Sequence, residues 1–71
     1  MFRLIFQGPK ETKVEWIDSD NLPHLREQRQ TMMAWADNNN ARYVVEPFIR
    51  YIGKDGWIRK SDGTYAHVEE L

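Results

Sequence analysis

The stretch WIRKSDGTYAHV, residues 57–68, decides the fold. Its centre, Asp62-Gly63, suits a type I′ hairpin turn, because both central residues of that turn take positive φ, which Gly adopts freely and Asp tolerates. A two-residue loop sets Ser61 opposite Thr64, Lys60 opposite Tyr65, Arg59 opposite Ala66, Ile58 opposite His67 and Trp57 opposite Val68. Trp57 and Val68 then share one face, and Ile58, Tyr65 and His67 the other. An earlier Asp55-Gly56, within Lys54-Asp55-Gly56-Trp57, reads as a second turn. The C-terminal half is therefore expected to be a strand meander.

Upstream of this meander the period changes twice. Phe2, Leu4 and Phe6 alternate with Arg3, Ile5 and Gln7, the period-2 signature of a strand with one strongly apolar face. Gly8-Pro9 breaks it, and a hydrophilic loop, expected to be mobile, leads to a second strand over 13–17. Val14 and Trp16 lie on one side of that strand and Lys13, Glu15 and Ile17 on the other. Asp18-Ser19-Asp20-Asn21 then supplies cap-capable side chains, and Pro23 fits a first helical turn, where its missing donor costs little. At 100° per residue Leu22, Leu25, Arg29, Met32, Met33 and Ala36 fall on one arc, with Trp35 at its edge. This predicts an amphipathic helix over 22–38, ending at Asn39 or Asn40, because Asn caps locally and tolerates left-handed φ. From Arg42, Tyr43-Val44-Val45 and Phe48-Ile49-Arg50-Tyr51-Ile52 are strand-like but interrupted by Glu46-Pro47. They read as one bent strand over 42–52 with a bulge or edge at Pro47, or as two short strands.

The order β-β-α-β-β-β predicts a small two-layer α+β domain, an antiparallel sheet with one helix packed on one face. Whether the strands form a five-stranded sheet or two smaller ones is open at this level. Seventy-one residues bound it to one compact domain over 1–71 with a thin core, since at this length only about 60% of the unfolded chain's surface is hidden on folding. There is no cysteine, so neither a disulfide framework nor a thiolate metal site can reinforce it. Self-association, as a homodimer through an exposed β edge or a patch around Trp35, Tyr51 or Trp57, is one physical way to compensate. The apolar opening over residues 1–7 is too short for a secretory or membrane segment, and a cytoplasmic location is the default expectation.

Catalytic signatures are absent from the sequence. His24 and His67 are the only imidazoles and have no HExxH spacing; the four glycines lack phosphate-loop spacing and read as turn residues. Ser19, Ser61 and Thr64 fall in a cap or turn with no base arranged around them. Glu11, Glu15, Asp18 and Asp20 read as a cap or solvated face rather than paired acid and base groups. No cofactor and no metal site is expected, and the chain reads as non-enzymatic.

What remains is chemistry for contact. Arg42, Tyr43, Arg50, Tyr51, Lys54, Trp57, Arg59, Lys60 and Tyr65 combine large apolar area with directed polar groups, as residues at protein interfaces do. Strand propensity and protection of exposed edges explain the same composition without any partner. The functional expectation is a protein-binding adaptor, regulator or inhibitor with contact residues among Arg50, Tyr51, Trp57, Arg59 and Tyr65. The alternative is a small nucleic-acid-binding protein using a basic and aromatic strand surface. Residues 41–60 carry five cations against two carboxylates, too small an excess to decide, and no RNP-like string or KH loop supports the alternative. Met32, Met33 and Trp35 read as packing against the sheet. A small accessory protein of a phage or mobile element is one kind of chain with this profile.

Overall fold

The computed structural model describes residues 1–39, 46–51 and 55–71. Among the described residues seven elements follow one another: β1 (Phe2–Gln7), a 3-10 turn (Pro9–Glu11), β2 (Val14–Ser19), α1 (Leu22–Asn39), β3 (Ile49–Arg50), β4 (Asp55–Ile58) and β5 (Tyr65–Glu70). The strands form one five-stranded antiparallel sheet of order β2-β1-β5-β4-β3, with α1 packed on one face. The small two-layer α+β architecture expected from the sequence is the one observed, with a single sheet rather than two.

Alternation along β1 sets the two layers. Leu4 and Phe6 point to the helix and are fully buried, and their partners on β5, Val68 and Ala66, join them. Leu25, Met32 and Ala36 close this core from α1, bordered by Phe2, Ile17, Leu22, Met33, Trp35 and Phe48. On β2 it is Ile17 that faces the helix, so Val14 and Trp16 are left on the outer side at 59% and 62% exposure. The helix begins where Asn21 Oδ1 accepts the His24 N–H, and Ser19 Oγ accepts the Asn21 N–H. It ends where the Asn39 side-chain amide donates to the Trp35 carbonyl. Arg29, counted with the apolar arc, bonds instead to Asp55 by both its carboxylate and its backbone carbonyl.

Three expectations are corrected. First, the β4–β5 hairpin is displaced by two residues: Ile58 pairs with Tyr65, Trp57 with Ala66, Gly56 with His67 and Asp55 with Val68. The innermost closure runs from the Arg59 N–H to the Thr64 carbonyl, and the Gly63 N–H returns to the Arg59 carbonyl. Only Gly63, at φ 77°, is left-handed there; Asp62 is not. Asp62 instead turns the chain with its carboxylate, which accepts both the Thr64 N–H and the Thr64 hydroxyl. A slip of two preserves which side chains share a face, so the expected separation of Trp57 and Val68 from Ile58, Tyr65 and His67 survives it.

Second, Asp55-Gly56 is strand, not turn. Gly56 has no positive φ; it sits opposite His67 in a close, non-hydrogen-bonded pair, where an added Cβ would lie 2.1 Å from His67 Cβ and 2.7 Å from the Ala66 carbonyl oxygen. Third, the β1–β2 loop, expected to be mobile, is tied down. Pro9 is buried, the Gly8 N–H bonds to the Lys13 carbonyl, and the Lys10 N–H donates to the Asp62 carbonyl of the neighbouring hairpin turn. The strand expected over 42–52 is observed only at Ile49–Arg50, with Glu46 and Pro47 outside any strand; residues 42–45 and 52 lie outside the described residues.

Because Leu25 is fully enclosed, Leu25→Ala should lower the unfolding free energy by about 2–5 kcal/mol in urea denaturation. Gly56→Ala forces two backbones apart rather than displacing a flexible side chain. It should cost about 3 kcal/mol, whereas Val14→Ala on the outer side should stay within about 0.5 kcal/mol of the parent.

Candidate binding surface

The helix covers one face of the sheet only. The registers of the four strand pairs arrange the opposite face in three rows that cross the sheet. One row is charged, with Asp18, Arg3 and Glu69 side by side on β2, β1 and β5. The next runs Trp16, Ile5, His67, Gly56, and reaches Tyr51, whose N–H bonds to the Gly56 carbonyl. The third runs Val14, Gln7, Tyr65, Ile58 and Ile49. Two of these rows are thus largely apolar or aromatic, and Trp16, Val14 and Ile49 are among the most exposed large apolar side chains described.

An aromatic knot forms where the second and third rows meet. The Tyr51 and Tyr65 rings stand edge to face with centroids 5.3 Å apart, and Tyr65 and His67 do the same at 4.7 Å. His67 is buried there because Gly56 leaves the space beside it open. Its Nε2 lies 3.3 Å from the Tyr65 hydroxyl and 3.5 Å from Glu69 Oε2, while Nδ1 has no partner among the described residues. Burial pushes the phenol pKa values of both tyrosines up, with Tyr51 and Glu69 adding to the effect on Tyr65. Both therefore present neutral hydroxyls through the neutral range. Along the charged row, Arg3 donates to both oxygens of Asp18, at 2.8 and 3.0 Å, and its guanidinium stacks 4.6 Å from the centre of the Trp16 ring. Those hydrogen bonds hold the exposed Asp18 carboxyl below its usual pKa.

The five residues expected to form a contact surface do not converge. Tyr51 and Tyr65 lie on the uncovered face and touch. Trp57 belongs to the helix-side face, opposite Ala66, and Arg50 pairs with Trp57 on that same side. Arg59 is 1% exposed: its guanidinium lies 3.9 Å over Phe48, pairs with Asp37 of α1, and reaches Asp62 at 3.2 Å. Arg42, Tyr43 and Lys54 lie outside the described residues. Sequence reasoning set His67 on the same strand face as Tyr65 but did not count Trp16, Ile5 or His67 among the contact residues. The signal was present in Val14-x-Trp16, but the outward direction of that pair is fixed only by the burial of Ile17.

Electrostatics behind the sheet matter because they consume cations. Arg26 and Arg29 both pair with Asp55, at 2.9 and 2.5 Å, Lys13 pairs with Glu15 at 3.2 Å, and Arg59 is held as described. Burial opposes ionisation of Asp55, but the two arginines outweigh it and hold the carboxyl below its usual range. Asp62 behaves likewise, its burial overcome by the Thr64 hydroxyl and N–H and by Arg59. Among the described residues no group of three His, Cys, Asp or Glu side chains could hold a metal ion. No described helix is long and apolar enough to cross a membrane.

The chain matches no family model, and neither curated proteins nor solved structures show a significant similarity to it.

The lowered carboxyls of Asp55 and Asp62 make folding sensitive to acid. Each contributes stability that is present above the unfolded value of 3.8 and is lost as the pH falls through the lower folded value. The thermal midpoint should therefore hold near neutrality and drop by several degrees as the pH is taken below about 4. Circular dichroism melts across that range check this. Asp62→Asn should start from a lower midpoint and lose less on acidification.

Proposed function

We propose that this protein is a non-enzymatic binding module, an adaptor, regulator or inhibitor in the cytoplasm, whose uncovered sheet face engages the apolar, aromatic-rich surface of another protein. The observation that carries this reading is the pair of largely apolar rows that the helix leaves uncovered, exposed at Val14, Trp16 and Ile49 and half-buried at Tyr51 and Tyr65, which pack against each other at their junction. Rigid aromatic side chains carrying hydroxyl groups contribute large contact area at little entropic cost, which is why such residues become hot spots. Five strands at about 4.8 Å and three rows at about 7 Å give the face roughly 500 Å², about two thirds of it in the two largely apolar rows. This is within the range of functional apolar patches but below the roughly 800 Å² per partner of a standard interface. A homomeric contact that joins two such faces belongs to the same proposal.

The distribution of charge supports a protein partner over a nucleic acid. Phosphate binding needs several unneutralised cations on one surface. Among the described residues Arg3, Lys13, Arg26, Arg29 and Arg59 all sit in ion pairs, Arg50 lies on the helix side of the sheet, and Lys10 and Lys60 lie outside the strands. The charged row of the uncovered face itself carries two carboxylates beside one arginine.

Tyr65→Ala and Tyr51→Ala should each weaken binding to the captured protein by about 2 kcal/mol, roughly thirtyfold, while Lys60→Ala changes it less than threefold. Capture from nuclease-treated extract of the source cell, followed by titration of the retained protein against purified variants, measures this. A partner indifferent to both tyrosines, or one released by nuclease and by modest salt, would count against the reading.

A further inference from the structure

The outer edge of β2 has no strand beside it among the described residues. In an antiparallel sheet, residues alternate between those bonded to the neighbouring strand and those whose N–H and C=O point away from it. The Gly8 N–H bonds to the Lys13 carbonyl and the two strands run in register from there, so Glu15, Ile17 and Ser19 bond inward to β1. The N–H and C=O groups of Val14, Trp16 and Asp18 consequently point outward. β2 ends the sheet, and none of these groups has a partner among the described residues. The strand is six residues long with no proline or glycine, and it carries the two most exposed of the large apolar side chains flanking such an edge, Val14 and Trp16. Exposed, regular edges of this kind are templates for strand addition.

We propose that a second copy of this chain occupies that edge, β2 pairing antiparallel with β2 about a twofold axis at Trp16. Every antiparallel pairing of β2 with its copy is two-fold symmetric, and of those that keep the outward groups paired this one engages all three outward residues of the strand on each copy without opposing like charges. It sets Val14 opposite Asp18 of the second copy, Glu15 opposite Ile17 and Lys13 opposite Ser19, so no two like charges face each other. Sliding by one pair in one direction sets Glu15 against its own copy. Sliding in the other sets Trp16 against Asp18 and leaves Val14 beyond the end of the partner strand. In the centred register Val14, Trp16 and Asp18 form about six backbone hydrogen bonds with their copies. The two Trp16 side chains meet on the uncovered face, each still stacked by its own Arg3. The result is a continuous ten-stranded sheet whose two uncovered faces join into one platform of roughly 1,000 Å², which passes the area of a standard interface side. The pairing does not depend on what that platform binds.

Sedimentation equilibrium over a wide concentration range tests the pairing. The intact chain should approach twice the monomer mass. Trp16→Lys, which sets two ammonium groups face to face, and Val14→Pro, which removes an outward N–H while leaving the β1 bonds in place, should both return the single-chain mass with far-ultraviolet dichroism unchanged. Because the chain contains no cysteine, Trp16→Cys offers a positional readout that does not require loss of association. Its Cα atoms fall about 5.5 Å apart across the axis, within disulfide reach, and mild oxidation should give a covalent dimer. Tyr65→Cys, in the middle of the face, should not cross-link. A single-chain mass for the intact protein at every concentration overturns the proposal, as does cross-linking through Tyr65→Cys in preference to Trp16→Cys, which would mean face-to-face packing.

Discussion

The buried guanidinium of Arg59 is the constraint on which the rest of the arrangement depends. It lies over Phe48, pairs with Asp37 near the end of the helix, and reaches Asp62 within its own turn, so one side chain joins the helix, the approach to β3 and the β4–β5 hairpin. A cation taken out of water must be matched by carboxylates, and removal of one partner from such a pair commonly costs about 3–5 kcal/mol. Asp62 meets this demand while its other bonds go to Thr64, which fixes the shape of the turn. With the turn fixed, Trp57 and Asp55 fall beside Ala66 and Val68, and Asp55 arrives where Arg26 and Arg29 can hold it. The uncovered face then follows as the remaining parity of every strand.

Much of the fold was legible because periodicity is a strong signal. Phe2, Leu4 and Phe6 announced a strand face, and the spacing from Leu22 to Ala36 announced a helix whose buried residues proved to be Leu25, Met32 and Ala36. The errors arose where one residue type serves two physical ends. Asp62-Gly63 looked like a pair of positive-φ residues, but the carboxylate of Asp62 acts as a hydrogen-bond acceptor and only Gly63 is left-handed. Gly56 looked like a turn glycine and is instead the absence of a side chain beside His67. Arg59 read as a surface cation because its partners, Asp37 and Asp62, are unremarkable in sequence, and Asp37 becomes its neighbour only once the helix lies on the sheet. Distance in sequence likewise hid Trp16 from the list of surface candidates, although its strand lies only two strands from that of Tyr65.

The two faces of the sheet divide the chain's chemistry between them. On the helix side, arginines and aspartates are spent on one another and on the turn, which anchors α1 to β4 without adding area to the thin core. On the other side, charge is confined to a single row in which Arg3 serves both Asp18 and the Trp16 ring. Aromatic and aliphatic side chains fill the remaining rows. This separation leaves an edge strand whose carboxylates, Glu15 and Asp18, are already paired with Lys13 and Arg3 next to a face that exposes Val14 and Trp16.

The hairpin register has a consequence for how the chain finds its native state. The native pairing and the tighter pairing that Asp62-Gly63 alone would favour differ by two residues, so both bury the same alternating side chains. Hydrophobic collapse therefore cannot tell them apart. In the tighter pairing Ile58, not Gly56, would stand against His67, and Arg59 would lie opposite Ala66 rather than closing on Thr64. Discrimination falls to specific contacts: the Asp62 carboxylate on Thr64, the closure of Arg59 on Thr64, the close fit of Gly56 against His67, and the meeting of Asp37 with the guanidinium. The turn preference of Asp-Gly and the native topology thus pull toward different hairpins, a point of local frustration that side-chain chemistry rather than hydrophobic burial resolves.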